Sequence, residues 1–352
     1  MSGGTSRSTS FIADQHDSIL VTGAAGFIGA RLVAHLVDRG FRRVRCLVRP
    51  GAHRSKADAL NLPGVELIHG NLLSRDDCDA AADGAAVIFH LAAARGEKSF
   101  PEAYLNSVVT TRNLLDSARR QPALRRFVNV SSFAVYAGAP RPRFRPLDES
   151  YPMEAQPQDR GDAYCFAKVA QDELVAEYGE RYRLPFVIVR PGYVYGGAEP
   201  ITARVGIGTF GIFLHLGGGN RLPLTYVENC AEAIALAGLT SGVDGETFNV
   251  VDDDLPSSRE FLRLYKRNVR PFRSVYIPHA LSYLLCGLWE RYSTWSEGQL
   301  PPVFNRRSWH AHWGRARYSN AKLKARIGWE PRVPTSEGLQ RYFTSCQQAA
   351  RA

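Results

Sequence analysis

Along the chain, short apolar runs recur at regular spacing with amphipathic stretches between them. The runs are Ser18–Thr22, Val44–Val48, Val65–His69, Ala86–Leu91, Phe127–Ser131 and Phe186–Arg190. Each is short and largely apolar, which suits a strand covered on both faces. The stretches between them carry helical spacing, the first from about Phe27 to Arg39. Strands that alternate with helices pair in parallel, so the pattern predicts an α/β fold with a doubly wound parallel sheet.

After Arg190 the pattern changes. Residues 191–225 mix glycines with apolar residues, then Glu228–Leu239 reads as a helix and Thr247–Val251 as a strand. Beyond Asp254 the chain is mostly helical, with breaks at Pro278, Pro301 and Pro302. This divides the chain into a first domain of residues 17–190 plus about 226–251, and a smaller, mostly helical C-terminal substrate domain of 191–225 plus about 252–352. Residues 1–16 are polar, rich in Ser and Gly, and expected to form a disordered tail rather than a secretion signal. The insert Val205–Leu214 sets glycines between Phe and Ile and is expected to be a mobile lid. After Pro278, Leu281, Leu284, Leu285, Leu288 and Trp289 share one side of a helix. That stripe suits the lining of a substrate cavity or packing against the first domain; a membrane surface would need a broader cationic face than Glu290 and Arg291 supply.

Composition narrows the classes. With 45% hydrophobic and 22% charged residues the chain reads as an ordinary soluble globular protein. No apolar run is long enough for an integral membrane segment. Cys46, Cys78, Cys165, Cys230, Cys286 and Cys346 form no CxxC pair, which fits reduced thiols in a cytoplasmic protein and no metal site. The net charge is +10, with arginine clusters at Arg141–Arg145 and Arg315–Arg317 but no interleaved aromatic pattern, so no nucleic-acid partner is expected.

Two constellations carry chemistry. Thr22-Gly23-Ala24-Ala25-Gly26-Phe27-Ile28-Gly29 lies between the first strand and the first helix. Gly23 permits a tight turn, Gly26 lets backbone approach a pyrophosphate, and Gly29 lets the helix pack closely; the helix N-terminus then offers N–H groups to phosphates. This is the glycine pattern of a Rossmann dinucleotide site. The second strand ends at Arg49, followed by His53, Arg54 and Lys56, where an NAD site usually carries an acid. A cation there suits a 2′-phosphate, so NADP(H) is favoured and NAD(H) stays open.

Farther on, Tyr164 and Lys168 stand at i and i+4 on a helix that Asp162 is placed to cap. A phenol titrates near ~10 in water, and a neighbouring ammonium lowers that value enough for proton exchange. Tyr164 is thus a candidate general acid or base. Ser131 and Ser132 close the fifth strand upstream. Ser132 is suited to polarise a substrate oxygen, and Ser131 to tie down the following turn.

Together these residues resemble the extended short-chain dehydrogenase/reductase family, often labelled NAD-dependent epimerase/dehydratase. The resemblance runs from about Ser18 to Phe343 and takes in Gly70-Asn71-Leu72, His90-Leu91-Ala92-Ala93, Asn106, Ser132 with Val135-Tyr136, Tyr164 with Lys168, Arg190-Pro191-Gly192-Tyr193-Val194-Tyr195-Gly196 and Tyr226-Val227-Glu228-Asn229. It implies a Rossmann fold and a catalytic set of Ser132, Tyr164, Lys168 and Asn106, with Lys168 also holding the nicotinamide ribose. The cofactor contacts it implies fall on Gly23, Ala25, Gly26, Phe27 and Ile28; on Arg49; on Asn71 and Leu72, which meet the adenine; on Leu91, Ala92 and Ala93; and on Pro191, Gly192 and Val194. Asn71 replaces the usual Asp, and its carbonyl is expected to accept from the adenine amine.

The chain departs from the nucleotide-sugar branches. Phe133-Ala134 follows Ser132 where sugar dehydratases carry an acidic pair, and Tyr193 and Leu222-Pro223 stand where epimerases grip a diphosphate. Gly217-Gly218-Gly219-Asn220-Arg221 is similar to the 3β-hydroxysteroid dehydrogenase and dihydroflavonol-reductase-like branch. The expected activity is reversible hydride transfer at a secondary alcohol or ketone of a largely apolar small molecule. A nucleotide-sugar epimerase and a non-catalytic NADP-binding regulator are the alternatives, and a homodimer stays open.

Overall fold

The computed structural model describes residues 10–51, 59–93, 99–139, 145–198, 204–296, 299 and 304–351. His53, Arg54, Lys56, Arg141, Arg143, Pro301 and Pro302 lie outside the described residues. The chain forms strands β1 (Ile19–Thr22), β2 (Val44–Val48), β3 (Val65–His69), β4 (Val87–His90), β5 (Arg126–Val130) and β6 (Phe186–Pro191), then β7 (Tyr193–Tyr195), β8 (Gly206–Thr209), β9 (Ile212–His215), β10 (Leu224–Tyr226) and β11 (Thr247–Val250). One sheet runs in the order β3-β2-β1-β4-β5-β6-β11, every neighbour parallel. Strand order reverses between β1 and β4, and in such sheets a ligand crevice opens beyond the carboxyl ends of the strands at that point.

Alternate residues of each strand feed two cores. Val21, Val44, Phe89, Val128, Val189 and Phe248 meet α1 (Phe27–Asp38) on one face. Leu20, Ile88, Phe127 and Ile188 cluster on the other. That second face is covered by α2 (Arg75–Ala82) and by a helix that starts as α3 (Phe100–Ala103), widens into a π-helical turn at Tyr104–Val109 and continues as α4 (Thr110–Ala118). The long helix α5 (Ala163–Tyr182) joins it there, and α6 (Val227–Leu239) packs beside α1. Strands β1, β4 and β5 are buried throughout, as expected of two-sided strands, whereas β3 at the sheet edge is only partly covered.

The remaining elements build a second layer. β8 and β9 form an antiparallel hairpin, and β12 (Ser274–Tyr276) extends it parallel to β9. Around them lie α7 (Ser258–Asn268), α8 (His279–Trp295) and α9 (Arg306–Trp313), followed by α10 (Ala321–Ile327) and α11 (Thr335–Ala349).

Four expectations meet differences. Ser10–His16 is not a disordered tail: Ile12 N donates to the Leu239 carbonyl at 2.8 Å and Ala13 is buried, so this segment docks on the end of α6. The insert Val205–Leu214 is a hairpin rather than a glycine-rich lid, because its apolar residues alternate and pair across β8 and β9; Phe210 sits at its tip with φ of 46° and fully exposed. Leu323, Ile327 and Trp329, assigned to the substrate domain, belong to the core beneath the main sheet. The leucines of α8 do not pack against the first domain. Leu281, Leu284, Leu285 and Leu288 are 45–56% exposed, and the helix seats its small residues Ser282, Cys286 and Gly287 instead.

Candidate active site

Residues from six strand ends line the crevice. Gly23, in the left-handed region at φ 68°, turns the chain out of β1, and a Cβ there would stand 2.9 Å from the Ala92 nitrogen. A Cβ on Gly29 would lie 2.2 Å from the Gly23 carbonyl oxygen, so glycine is required for α1 to approach the loop. Leu91 N donates to the Thr22 carbonyl at 3.2 Å, which joins Leu91, Ala92 and Ala93 to the loop. Gly26 caps α1 with no side-chain bond to its amides and no acid in the first turn. The free N–H groups at Phe27 and Ile28 thus fit an anionic diphosphate. Beyond β6, Pro191, Gly192 and Val194 pass close by, and a side chain at Gly197 would meet the Phe27 ring at 3.2 Å.

The adenine-side residues behave differently from one another. Arg49 is exposed just past the end of β2, with no ion-pair partner among the described residues. The Asn71 side-chain carbonyl accepts from Leu73 N at 3.0 Å, so it closes its own turn, and only its second lone pair is open to a ligand. Leu72 buries its side chain, and its carbonyl accepts from Asn113 Nδ2 at 2.9 Å; backbone alone is offered there.

At the other side, Asp162 Oδ1 accepts from Tyr164 N and Cys165 N, both at 3.1 Å, and caps α5 as its position suggested. Tyr164 is half-buried in the first turn and Lys168 is buried one turn on. Lys168 Nζ donates to the Val130 carbonyl at 2.8 Å, which pins the helix to the end of β5 beside Ser132. Burial pushes the Lys168 pKa down to about 8, and the Asp172 carboxylate opposes the shift. Ser132, not Ser131, closes the turn. Ser132 Oγ accepts from Ala134 N at 3.2 Å and so closes the turn, which still leaves its proton to donate to a ligand. The Ser131 hydroxyl is buried with no partner in hydrogen-bonding geometry, yet near enough to Asp172 to favour that carboxylate's ionised form.

Asn106 lies within the π-helical turn, half-buried. A π-turn displaces carbonyls from the regular ladder, and here Ser107 O accepts from Thr111 Oγ1 at 2.6 Å. Thr111 Oγ1 spends its proton on that bond, so it accepts from His90 Nε2 at 2.9 Å and from Gln171 Nε2 at 2.6 Å. His90 Nδ1 is then the acceptor for Thr22 Oγ1 at 2.8 Å. The histidine is neutral, its pKa driven to about 3 by burial and by the Lys168 cation. A directed chain of hydrogen bonds therefore runs from the glycine loop through His90 to the Asn106 turn and the helix of Tyr164.

Sequence reasoning missed a second buried group beneath the pair. Asp172 follows Lys168 by one turn, and its two oxygens accept from Asn129 Nδ2 at 2.9 Å and Arg190 Nε at 3.0 Å. Arg190 stacks over Tyr136 at 5.1 Å, and Tyr136 OH donates to Asn249 Oδ1 at 2.5 Å. The signal was present: an acid at i+8 from Tyr164 falls on the helix stripe that faces the sheet.

A family model described as "NAD dependent epimerase/dehydratase family" matches residues 19–250. The chain belongs to that family. A ketoreductase of 4-hydroxy-2-methyl-3-oxo-4-farnesyl-3,4-dihydroquinoline-1-oxide from Stigmatella aurantiaca is 30% identical over 247 residues, 69% of this chain and 71% of that one. The 3 beta-hydroxysteroid dehydrogenase/Delta 5-->4-isomerase of Mycobacterium tuberculosis is 32% identical over 200 residues, 53% of this chain and 49% of that one. Among solved structures, UDP-glucose 4-epimerase of Thermus thermophilus in complex with NAD superposes with a TM-score of 0.68 at 22% identity, covering 94% of this chain and 99% of that one. The last likeness concerns the fold. Among the described residues no His, Cys, Asp or Glu cluster is suited to a metal, and no helix is long and apolar enough to cross a membrane.

Proposed function

We propose that this family member is an NADP(H)-dependent oxidoreductase acting at a secondary alcohol or ketone of a largely apolar small molecule. The observation that carries the reading is the tie of Lys168 to the end of β5, one turn from Tyr164 and beside Ser132, on the crevice that the uncapped α1 N-terminus also faces. The α1 amides, Arg49, and the Leu91–Ala93 and Pro191–Val194 segments would hold the dinucleotide, which would supply or accept the hydride. Tyr164 gives a proton to the carbonyl oxygen, or takes it from the alcohol. Lys168 favours the phenolate by its charge and holds the ribose, and Ser132 donates to the same substrate oxygen. Asn106, on its displaced turn, assists in positioning.

Three observations favour an apolar substrate. Leu222 is fully buried where a diphosphate-binding side chain would be needed, Tyr193 stands at the other such position, and two relatives are named for a farnesylated ketone and a hydroxysteroid. The likeness to UDP-glucose 4-epimerase supports the second reading, an epimerase, in which cofactor does not leave reduced. The test is a panel of steroid-like and flavonoid-like alcohols and ketones, with cofactor absorbance followed and uridine and guanosine diphosphate sugars as competitors. Turnover of an apolar member with net cofactor reduction or oxidation is expected. Micromolar inhibition by uridine diphosphate, with no turnover of any apolar compound, would reject the reading in favour of the epimerase.

A further inference from the structure

Asp172 lies on α5 one turn beyond Lys168 and two beyond Tyr164, and it is 2% exposed. Both its oxygens are engaged, by Asn129 from β5 and Arg190 from β6. Lys168 and Arg190, 4% and 5% exposed, bring two cations into the same buried region. Lys168 and Asp172 make no ion-pair contact, so Asp172 acts on the ammonium through space, where the low dielectric of the interior makes such coupling strong. The other groups facing Lys168 are His90 from β4, held neutral, and Tyr164 on its own helix. Asp172 is therefore the carboxylate that faces both buried cations, while Glu149 accepts from Asn249 N at 2.7 Å on the far side of Tyr136.

We propose that Asp172 is a positioning residue that keeps Lys168 charged at working pH, with Arg190 as the opposing cation. The inference rests on the proposed role of the Tyr164–Lys168 pair at a bound dinucleotide. An uncompensated buried ammonium gives up its proton instead of its solvation. Without Asp172, Lys168 would offer the cofactor ribose and Tyr164 a neutral amine, and the phenolate would lose its stabilising charge. The Asp172–Arg190 bond is then more than a strut between α5 and β6, because Arg190 opposes the Asp172 charge and so sets how much of it is left to act on Lys168.

That opposition is what the experiment reads. NADPH affinity of the full chain is measured by the fluorescence of the bound reduced ring from about pH 6 to about pH 10, a range that brackets the lysine. For the wild type, affinity should fall on passing about pH 8, where burial has set the Lys168 pKa. Asp172→Asn should move that midpoint down by about one pH unit, leaving binding about fivefold weaker at pH 8 and about tenfold weaker well above it, since one pH unit is a factor of ten in the proton equilibrium. Arg190→Gln should move it up. Asp172→Glu, which keeps the charge, should restore the wild-type midpoint. Both neutral variants break the same bond, so a strut alone would lower the melting temperature of both and shift both midpoints alike or not at all. That outcome overturns the proposal. If Asp172→Asn fails to fold, the direction of the Arg190→Gln shift decides alone. A wild type that binds NADPH while its variants keep its midpoint rejects only the role of Asp172; a wild type that binds neither NADPH nor NADH rejects the functional reading as well.

Discussion

Lys168 donates to the carbonyl of Val130 at 2.8 Å, a bond between the middle of a helix turn and the last residue of a strand. It fixes where Tyr164 stands relative to Ser132, since α5 can neither slide nor rotate without breaking it. The phenol of Tyr164 is the group this arrangement serves. Tyr164→Phe removes one oxygen at a half-buried position and should leave the melting temperature and cofactor affinity near wild type. Turnover should fall by about 10² or more, the usual worth of positioned acid–base catalysis. Near-normal turnover by the purified variant would sink the assignment.

Cofactor choice turns on Arg49. It lies just past the end of β2, exposed and without an ion-pair partner among the described residues, so its guanidinium is available to a phosphate. NADPH should bind about ten- to a hundredfold more tightly than NADH, the range of a charge-assisted contact. Arg49→Glu should bring the two affinities together or reverse them. Calorimetric titration with both cofactors settles the point, and equal affinities for the wild type would show that Arg49 plays no part.

Acid should weaken the fold through its buried histidines. Burial holds His90 down to about 3, and His35, His215 and His312 down to about 4. In an unfolded chain an imidazole titrates near ~6.5. The stability these residues give is fully present above that value and is lost as pH falls from about 6.5 toward the folded-state values, because the unfolded chain takes up protons the folded one refuses. Urea unfolding at about pH 7 and about pH 4.5 should show the loss, at up to about 1.4 kcal/mol per pH unit for each histidine. His90→Gln should flatten this slope. It should also cost roughly 1–3 kcal/mol at neutral pH, because Thr22 and Thr111 lose a buried partner. An unchanged slope would mean that His90 contributes nothing to the acid limb.

The sheet was legible because two-sided burial leaves a direct trace: Ile19–Thr22 and Val87–His90 are largely apolar at consecutive positions and buried throughout. The glycine loop was legible for a steric reason, since Gly23 and Gly29 answer contacts that any Cβ would violate. The Tyr164 helix was legible down to its cap. What the sequence withheld was pairing in space. Asn129, Asp172 and Arg190 lie on three elements, and nothing local says that they meet. The serine roles depended on a torsion at Ser132 that spacing does not encode. Ser10–His16 looked like a tail because its docking rests on backbone bonds and one buried alanine rather than on an apolar pattern. The α8 stripe was found correctly, but an apolar stripe does not say which side of a helix the fold will cover.

That stripe supports the last prediction. α8 packs on α9 through Cys286 and Trp309, and Asn305, the cap of α9, donates its Nδ2 to the Arg160 carbonyl at 2.9 Å, just ahead of Tyr164. The exposed leucines therefore belong to a layer anchored beside the candidate site. Leu284 and Leu288 are 55% and 56% exposed, so replacing both with Gln should change stability by no more than about 0.5 kcal/mol each. If an apolar substrate covers this face, each leucine contributes to binding in proportion to the area it loses to water, about 25 cal/mol per Å². The double variant should then raise KM for an apolar alcohol about tenfold, leave kcat close to wild type, and leave NADPH affinity untouched. A drop in kcat at constant KM would place the face in the chemistry instead. An unchanged KM, accompanied by a smaller species in sedimentation than the wild type, would mean that the leucines meet a second copy of the chain and not a substrate.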